Sequence, residues 1–313
     1  MSGGGLPLPE TAGGPPTPPP ARPARAFTLA RRPRLGRLAL DSSVVVGLVG
    51  AFLVGGLVLT AVLAPQLAPY DPTERVGIPF QRPSGEFPLG TNDIGQDLLS
   101  EIIFGARVSL TVGIVAAAVA LLIGSTVGIL AGYYPRIVGS LLMRFVDVLL
   151  IIPFLPLLIV LAAYLGRSLL NTIIIIGILI WAGTARVIRS QVLSLARRDF
   201  VLAARALGAS DARIIGRHIV PRVFLLGISQ FVQATSGAIL LEAALSFLGL
   251  GDPLQKSWGS ILYWAQVRGA FLTDAWLWWV LPPGLLIGAS ALGFALMGFA
   301  IEQRVNPQLA AKR

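Results

Sequence analysis

Residues 108–135 read VSLTVGIVAAAVALLIGSTVGILAGYYP and carry no charged side chain from end to end. A helix rises about 1.5 Å per residue, so some 20 apolar residues cross a bilayer core, and this stretch alone places the chain in a membrane. Five more uncharged stretches share the property, at 42–70, 148–166, 168–185, 223–241 and 275–301. Composition agrees: of 313 residues 55% are hydrophobic and 13% charged, where soluble domains run near about 25% charged. The expected fold class is an all-α polytopic membrane protein with about six transmembrane helices. Cysteine is absent and His218 is the single histidine. That excludes a disulfide framework, a thiol nucleophile and a thiolate metal site, and leaves too few imidazoles for zinc.

The formal charge is +10, and in a membrane chain such an excess reports orientation before it reports nucleic acid. With Arg22, Arg25, Arg31, Arg32, Arg34 and Arg37 ahead of the first span, the N-terminus is expected in the cytoplasm. Six spans then put 136–147, 186–222 and 302–313 on the same side. These segments and the N-terminal tail hold 19 Lys and Arg, against 6 on the external side, which supports the assignment. The organisation read from this is a disordered, Pro/Gly-rich and basic cytoplasmic tail over 1–40, a six-helix domain over 41–304 and a short cytoplasmic tail over 305–313. The domain includes an external loop at 66–106 and a cytoplasmic loop at 186–222. Spans three and four are separated only by Arg167, which leaves a buried hairpin or re-entrant pair open. Gly124, Gly128 and Gly132 form a ladder for close helix packing in span two, and Gly284 with Gly288 makes a second pair. Pro153, Pro156, Pro282 and Pro283 are expected to kink or interrupt their helices.

The loop 186–222, RVIRSQVLSLARRDFVLAARALGASDARIIGRHIVPR, is more than a linker. Leu193, Leu195, Phe200, Val201, Ala204 and Leu207 recur at helical spacing, Gly208 interrupts, and Ile214, Ile215 and Ile219 resume before Pro221 stops the run. This is helix, turn, helix. Gly208 suits a C-cap at φ > 0, Ser210 an N-cap, and Asp211 the positive end of the following helix dipole. Ala203 and Ala204 present almost no side chain, so another protein can approach closely. A docking surface is one reading; an amphipathic helix resting on anionic lipid through its arginines is the other.

The same segment resembles the EAA loop of permease subunits of ABC importers. Leu202, Ala203 and Ala204 occupy the triplet, with Leu202 where glutamate is usual; Gly208 is the glycine, and His218, Ile219, Val220 and Pro221 form the closing element. PLGTNDIGQD at 88–97 with GARVSL at 105–110, and LEAALSFLGLG at 241–251 with SWG at 257–259, are similar to the second permease of the heterodimeric pair in the dipeptide/oligopeptide/nickel branch. The likeness runs over about residues 40–300. It implies a permease of a bacterial or archaeal cell membrane that passes peptides or related small solutes delivered by an extracytoplasmic binding protein. The implied partners are a homologous second permease, two cytoplasmic ATPases docking on the two permease loops, and membrane lipid, with no nucleic acid.

Neither lysine, Lys256 nor Lys312, follows a glycine, so the chain lacks a phosphate-binding G-x-x-x-x-G-K-[ST] loop. The chain is therefore not expected to be an enzyme or to hold a cofactor, ATP being bound by partner subunits. An ion-coupled secondary transporter is the alternative. It needs charged sites at midplane, for which only Asp147 and Glu242 are candidates. Asp147 is expected to pair with Arg144 one turn away. Glu242 lies twenty residues past Arg222, about 30 Å along a helix, near an external mouth or in a satisfied structural site. The acids Asp71, Glu74, Glu86, Asp93, Asp97 and Glu101 of the external loop are candidates for receiving the binding protein. Single cysteines at Ser84 and Ser210 in this cysteine-free chain are expected to label from opposite sides of the membrane. Labelling of both from outside intact cells would defeat the six-span topology.

Overall fold

The structure, a computed structural model, describes residues 42–305 together with Met1, Gly3 and Gly4. The expected tail 1–40, those three positions aside, and the C-terminal tail beyond Val305 fall outside the described residues. In chain order the helices are α1 (Ser42–Val62), α2 (Ala64–Leu67), α3 (Leu98–Tyr133), α4 (Ile137–Ile151), α5 (Phe154–Leu165), α6 (Leu169–Leu195), α7 (Asp199–Ala206), α8 (Asp211–Ile214), α9 (Val220–Phe247), α10 (Trp258–Val267) and α11 (Leu281–Val305). A π-helical turn, Ile215–Ile219, joins α8 to α9, and a second, Trp276–Val280, leads into α11. Among the described residues there is no strand beyond an isolated bridge between Thr91 and Asp97.

Among the described residues, five helices are long and apolar enough to cross a membrane, and α4 with α5, bent by 86° at their junction, makes the sixth crossing or a re-entrant pair. The third span is interrupted where Pro153 and Pro156 were expected to interrupt it. Its helix begins at Ile137, earlier than the uncharged stretch from 148, and its break falls at Ile152–Pro153. Pro153 has no N–H to continue α4, and Pro156 sits in the first turn of α5, where none is required. The hairpin between α5 and α6 instead turns through Gly166 at φ 89°, and Ser168 caps α6 by accepting from the Asn171 N–H at 3.1 Å.

Span two begins ten residues before the uncharged stretch, because Asp97 caps α3 by accepting from the Ser100 N–H at 2.8 Å. Spans four and five are longer as well: α6 runs to Leu195, so the loop between them begins at Ala196. Pro221 does not stop the second loop helix as expected. It lies in the first turn of α9, where the preceding π turn has already rearranged the backbone bonds. Pro282 and Pro283 enter α11 the same way.

Around α3 the other spans assemble, with α6, α9, α1 and α4 all packed against it. Along the α6 contact, a Cβ on Gly124 would lie 2.8 Å from the Trp181 carbonyl oxygen, one on Gly128 2.7 Å from that of Ala185, and one on Gly132 2.7 Å from the Val192 Cβ. The ladder read from sequence is therefore a seam of backbone-to-helix contact. Gly284 and Gly288 differ: nothing lies within 4 Å of a Cβ at either position, so this pair packs against no element of the described chain. α11 meets α1 elsewhere, where a Cβ on Gly50 would lie 2.7 Å from the Gly293 carbonyl oxygen.

In a helix Gly→Ala is ordinarily favourable by about 1 kcal/mol. At Gly128 the overpacking penalty, roughly 1–3 kcal/mol, is expected to reverse that sign. Thermal unfolding in detergent should therefore show Gly128→Ala destabilised and Gly288→Ala unchanged or slightly stabilised. Equal midpoints for the two variants would remove the seam from its role.

Candidate functional site

The candidate site is the segment from Ala196 to Ile219, between α6 and α9. α7 ends in a Schellman motif: the Gly208 N–H donates to the Arg205 carbonyl and the Ala209 N–H to that of Ala204, each at 3.0 Å, with Gly208 at φ 80°. The left-handed cap expected at Gly208 is what the backbone adopts. Ser210 then caps α8, accepting from the Arg213 N–H at 3.4 Å. Val201, Ile214 and Ile219 are buried against Tyr133, Ile188, Val192 and Leu195, at the ends of α3 and α6. Most of the loop's apolar stripe is therefore covered by the chain itself, Leu207 excepted.

What remains outward is a small apolar face. Leu202 is 50% and Leu207 88% exposed, and Ala203 is exposed between them. Ala204 turns inward to the loop core, so only one alanine of the triplet lies on that face. Beside it a cleft of about 310 Å³ is lined by Gly132, Tyr133, Arg197, Leu202 and Arg205 among others. His218 is half-buried with its ring 6.2 Å from that of Phe200, while the Arg222 guanidinium stands 4.0 Å over the Phe200 ring and donates to the His218 carbonyl at 2.7 Å. Pro221 lies at the head of α9, behind this stack.

Asp211 does more than favour a helix dipole. Its carboxylate accepts from the Tyr133 hydroxyl at 2.6 Å and the Tyr134 hydroxyl at 3.0 Å, and Arg205 donates to the Tyr133 oxygen at 3.0 Å. That hydrogen bond to Asp211 raises the Tyr134 pKa above its ordinary value, and the bond to Tyr133 raises that of the Arg205 guanidinium. Both groups stay donors at neutral pH. The tyrosines escaped the sequence reading because they lie some 70 residues before the loop and at the end of an apolar run, where nothing local marks them.

On the opposite side, Glu242 does not open to a mouth of the described chain. It is 2% exposed, accepting from the Ser109 hydroxyl at 3.0 Å and the Ser246 hydroxyl at 2.7 Å. Of the six external acids, Asp97 is spent on the α3 cap, Asp93 pairs with Arg268 at 2.8 Å, and Glu101 accepts from Lys256 and Asn92, each at 2.8 Å. Lys256 also donates to Gln96 at 3.0 Å, so one lysine ties the loop before α3 to the segment before α10. Asp71, Glu74 and Glu86 remain exposed. Asp147 pairs with Arg186 of α6 and not with Arg144: packing of α4 against α6 brings the guanidinium across.

Lys256 is 24% and Glu101 3% exposed at the side chain. Removing the lysine leaves a buried carboxylate with only the Asn92 amide, a loss expected at roughly 3 kcal/mol, the lower end for a buried pair because the lysine is partly wet. Lys256→Met should accordingly lower the thermal midpoint in detergent, and adding Glu101→Leu should recover part of it. A double variant no better than the single one would show that the pair is not what holds this corner.

Residues 124–309 match the family described as "Binding-protein-dependent transport system inner membrane component". Among known relatives, the chain is 38% identical over 261 residues to a di/tripeptide transport system permease protein DppC of Pseudomonas aeruginosa, covering 81% of this chain and 85% of that one. It is 37% identical over 268 residues to a dipeptide transport system permease protein DppC of Alkalihalophilus pseudofirmus, covering 84% and 86%. An oligopeptide transport system permease protein OppC of Bacillus subtilis is 32% identical over 264 residues, covering 84% and 85%.

Proposed function

The chain belongs to the family of binding-protein-dependent transport system inner membrane components, and from that premise we propose that it is the multi-pass permease subunit of an ATP-driven importer of peptides or related small solutes. The observation that carries the reading is the outward face of the cytoplasmic loop. Leu202, Ala203 and Leu207 stand clear on α7, while the loop's other side is seated on α3 and α6. An ATPase docking there pushes on a base continuous with α6 and α9, and their movement alternates access to a path shared with a second, homologous permease.

Leu202 offers dispersion contact in place of the charge that a glutamate would supply, so docking on this chain rests on apolar area and on the arginines around the cleft. ATP binds in two separate ATPase subunits. The binding protein delivers solute from outside, with Asp71, Glu74 and Glu86 available to meet it, and the N- and C-termini face the cytoplasm. Peptides are the solute class because the relatives named above are permeases for dipeptides, di/tripeptides and oligopeptides. The ion-coupled alternative loses its two candidate groups: Asp147 is engaged by Arg186 and Glu242 by two serines.

Purified alone, the chain should hydrolyse no ATP above background, and activity should arise only with a second permease and two ATPases. Uptake of a dipeptide driven by an ion gradient through this chain alone would overturn the reading. Within the assembled complex, Gly208→Val forces a β-branched residue to φ 80°, at a strain of roughly 1–3 kcal/mol. No atom lies within 4 Å of a Cβ there, so the effect is purely conformational. ATPase binding and transport should fall, with Gly208→Ala milder and membrane insertion unchanged. Wild-type transport by Gly208→Val with ATPases bound would show that the loop does not couple.

A further inference from the structure

The loop Ala196–Ile219 is joined covalently to α6 at one end and to α9 at the other, but α3 touches it only through space. Among the described residues, every hydrogen bond that a loop side chain makes to another element goes to the end of α3, at Tyr133 and Tyr134. The two carboxylate oxygens of Asp211 take one tyrosine hydroxyl each, at 2.6 and 3.0 Å, so the aspartate has no orientation left to choose. Arg205 reaches the same Tyr133 oxygen from α7 at 3.0 Å, its guanidinium 5.5 Å over the ring. Both loop helices therefore converge on one hydroxyl, and the Tyr133 ring that carries it is buried.

A body held at two points can pivot about the line that joins them. A loop attached only to α6 and α9 would rotate about that line when pushed, and part of the stroke would be lost in the rotation. The tyrosine contacts, added to the apolar cluster that holds Val201 and Ile214 with Tyr133, supply a third attachment, to α3. α3 itself is seated on α6 at backbone distance through Gly124, Gly128 and Gly132, so those two helices cannot slide past each other without a clash. We propose that Tyr133 and Tyr134 are positioning residues that lock the cytoplasmic loop to α3 through Asp211, so that α3 and α6 swing as one body with the loop during transport. This rests on the reading of the loop as the element on which the ATPases act. It adds span two to the moving part, where covalent continuity alone would include only α6 and α9.

The test uses the full complex of both permeases, two ATPases and the binding protein in proteoliposomes, with a labelled dipeptide as solute. Tyr133→Phe/Tyr134→Phe removes two hydroxyls and keeps both rings. ATP hydrolysis and ATPase retention should stay within about twofold of wild type while dipeptide taken up per ATP falls about a hundredfold, roughly tenfold for each of the two charge-assisted hydrogen bonds lost. Tyr134→Phe alone, at an exposed ring, guards against a folding defect in the double variant and should fall between. A second readout needs no solute: spin labels at Leu130→Cys on α3 and Ala212→Cys in the loop. Their separation should be equal in nucleotide-free and ATP-bound complex when both tyrosines are present, and should change between states in the double variant. An unchanged uptake per ATP, or a wild-type separation that shifts with nucleotide as much as the variant's, would overturn the lock. Failure of the wild-type complex to take up dipeptide would count against the peptide reading only, and the label separation would still decide the lock.

Discussion

The structure depends on one approach distance, that of α3 to α6. In lipid no hydrophobic force draws two helices together, since the surrounding chains are as apolar as the side chains, and association rests on van der Waals contact and on hydrogen bonds. Glycine at 124, 128 and 132 removes the side chain that would hold the helices apart, so Thr184, Ile188 and Val192 press on bare backbone. The same device recurs more locally, where Gly113 lets Ile239 of α9 against α3 and Gly50 meets α11. With α3 at the centre of these contacts, its ends become fixed points for everything that lies outside the apolar core.

The polar groups at those ends follow from that fixity. At its N-terminal end, the Asp97 cap with Ser100 and Glu101 of the first turn of α3 organises the loop that precedes it, and Lys256 draws the segment before α10 onto the same turn. At its C-terminal end, two adjacent tyrosines point into the loop and their rings meet edge to face at 4.9 Å. Burying a charge is costly unless it is paired and hydrogen-bonded. Glu101 meets that condition with an ammonium and an amide, whereas Glu242 is hydrogen-bonded by hydroxyls and has no ion-pair partner among the described residues.

The sequence was most legible where a single local rule decides the outcome. Unbroken apolar runs gave the spans, and a glycine between two helical stretches gave the left-handed cap at Gly208. Spacing of four along one helix gave the α3 seam. It was least legible where the deciding partner is distant. Arg144 is the nearest base to Asp147 along the chain, yet helix packing sets Arg186 across from it. Gly284 and Gly288 have the same spacing as the α3 ladder, but spacing does not say whether a neighbour is present. Asp93, Asp97 and Glu101 read as candidates for receiving a partner because neither a cap nor a salt bridge to residue 256 or 268 leaves a local mark.

Pro221 and Pro282–Pro283 were misread for a related reason, while Pro153 interrupts its span as expected. A proline removes one donor and blocks one carbonyl, which ends a helix only if the turn before it is an ordinary α turn. At Pro221 and at Pro282–Pro283 the preceding turn is π-helical, with bonds to the fifth residue, so the backbone has been re-registered before the ring arrives. At Pro153 no such turn precedes, and there the chain bends by 86°. The difference bears on transmission. α9 receives the loop through an unbroken though locally widened helix, and α6 leads into it without a break, so the loop is bounded by two continuous spans. α4 and α5 are broken at their midpoint, whereas α3, α6 and α9 each run unbroken from the end that meets the loop to the end that meets the segments before α3 and α10.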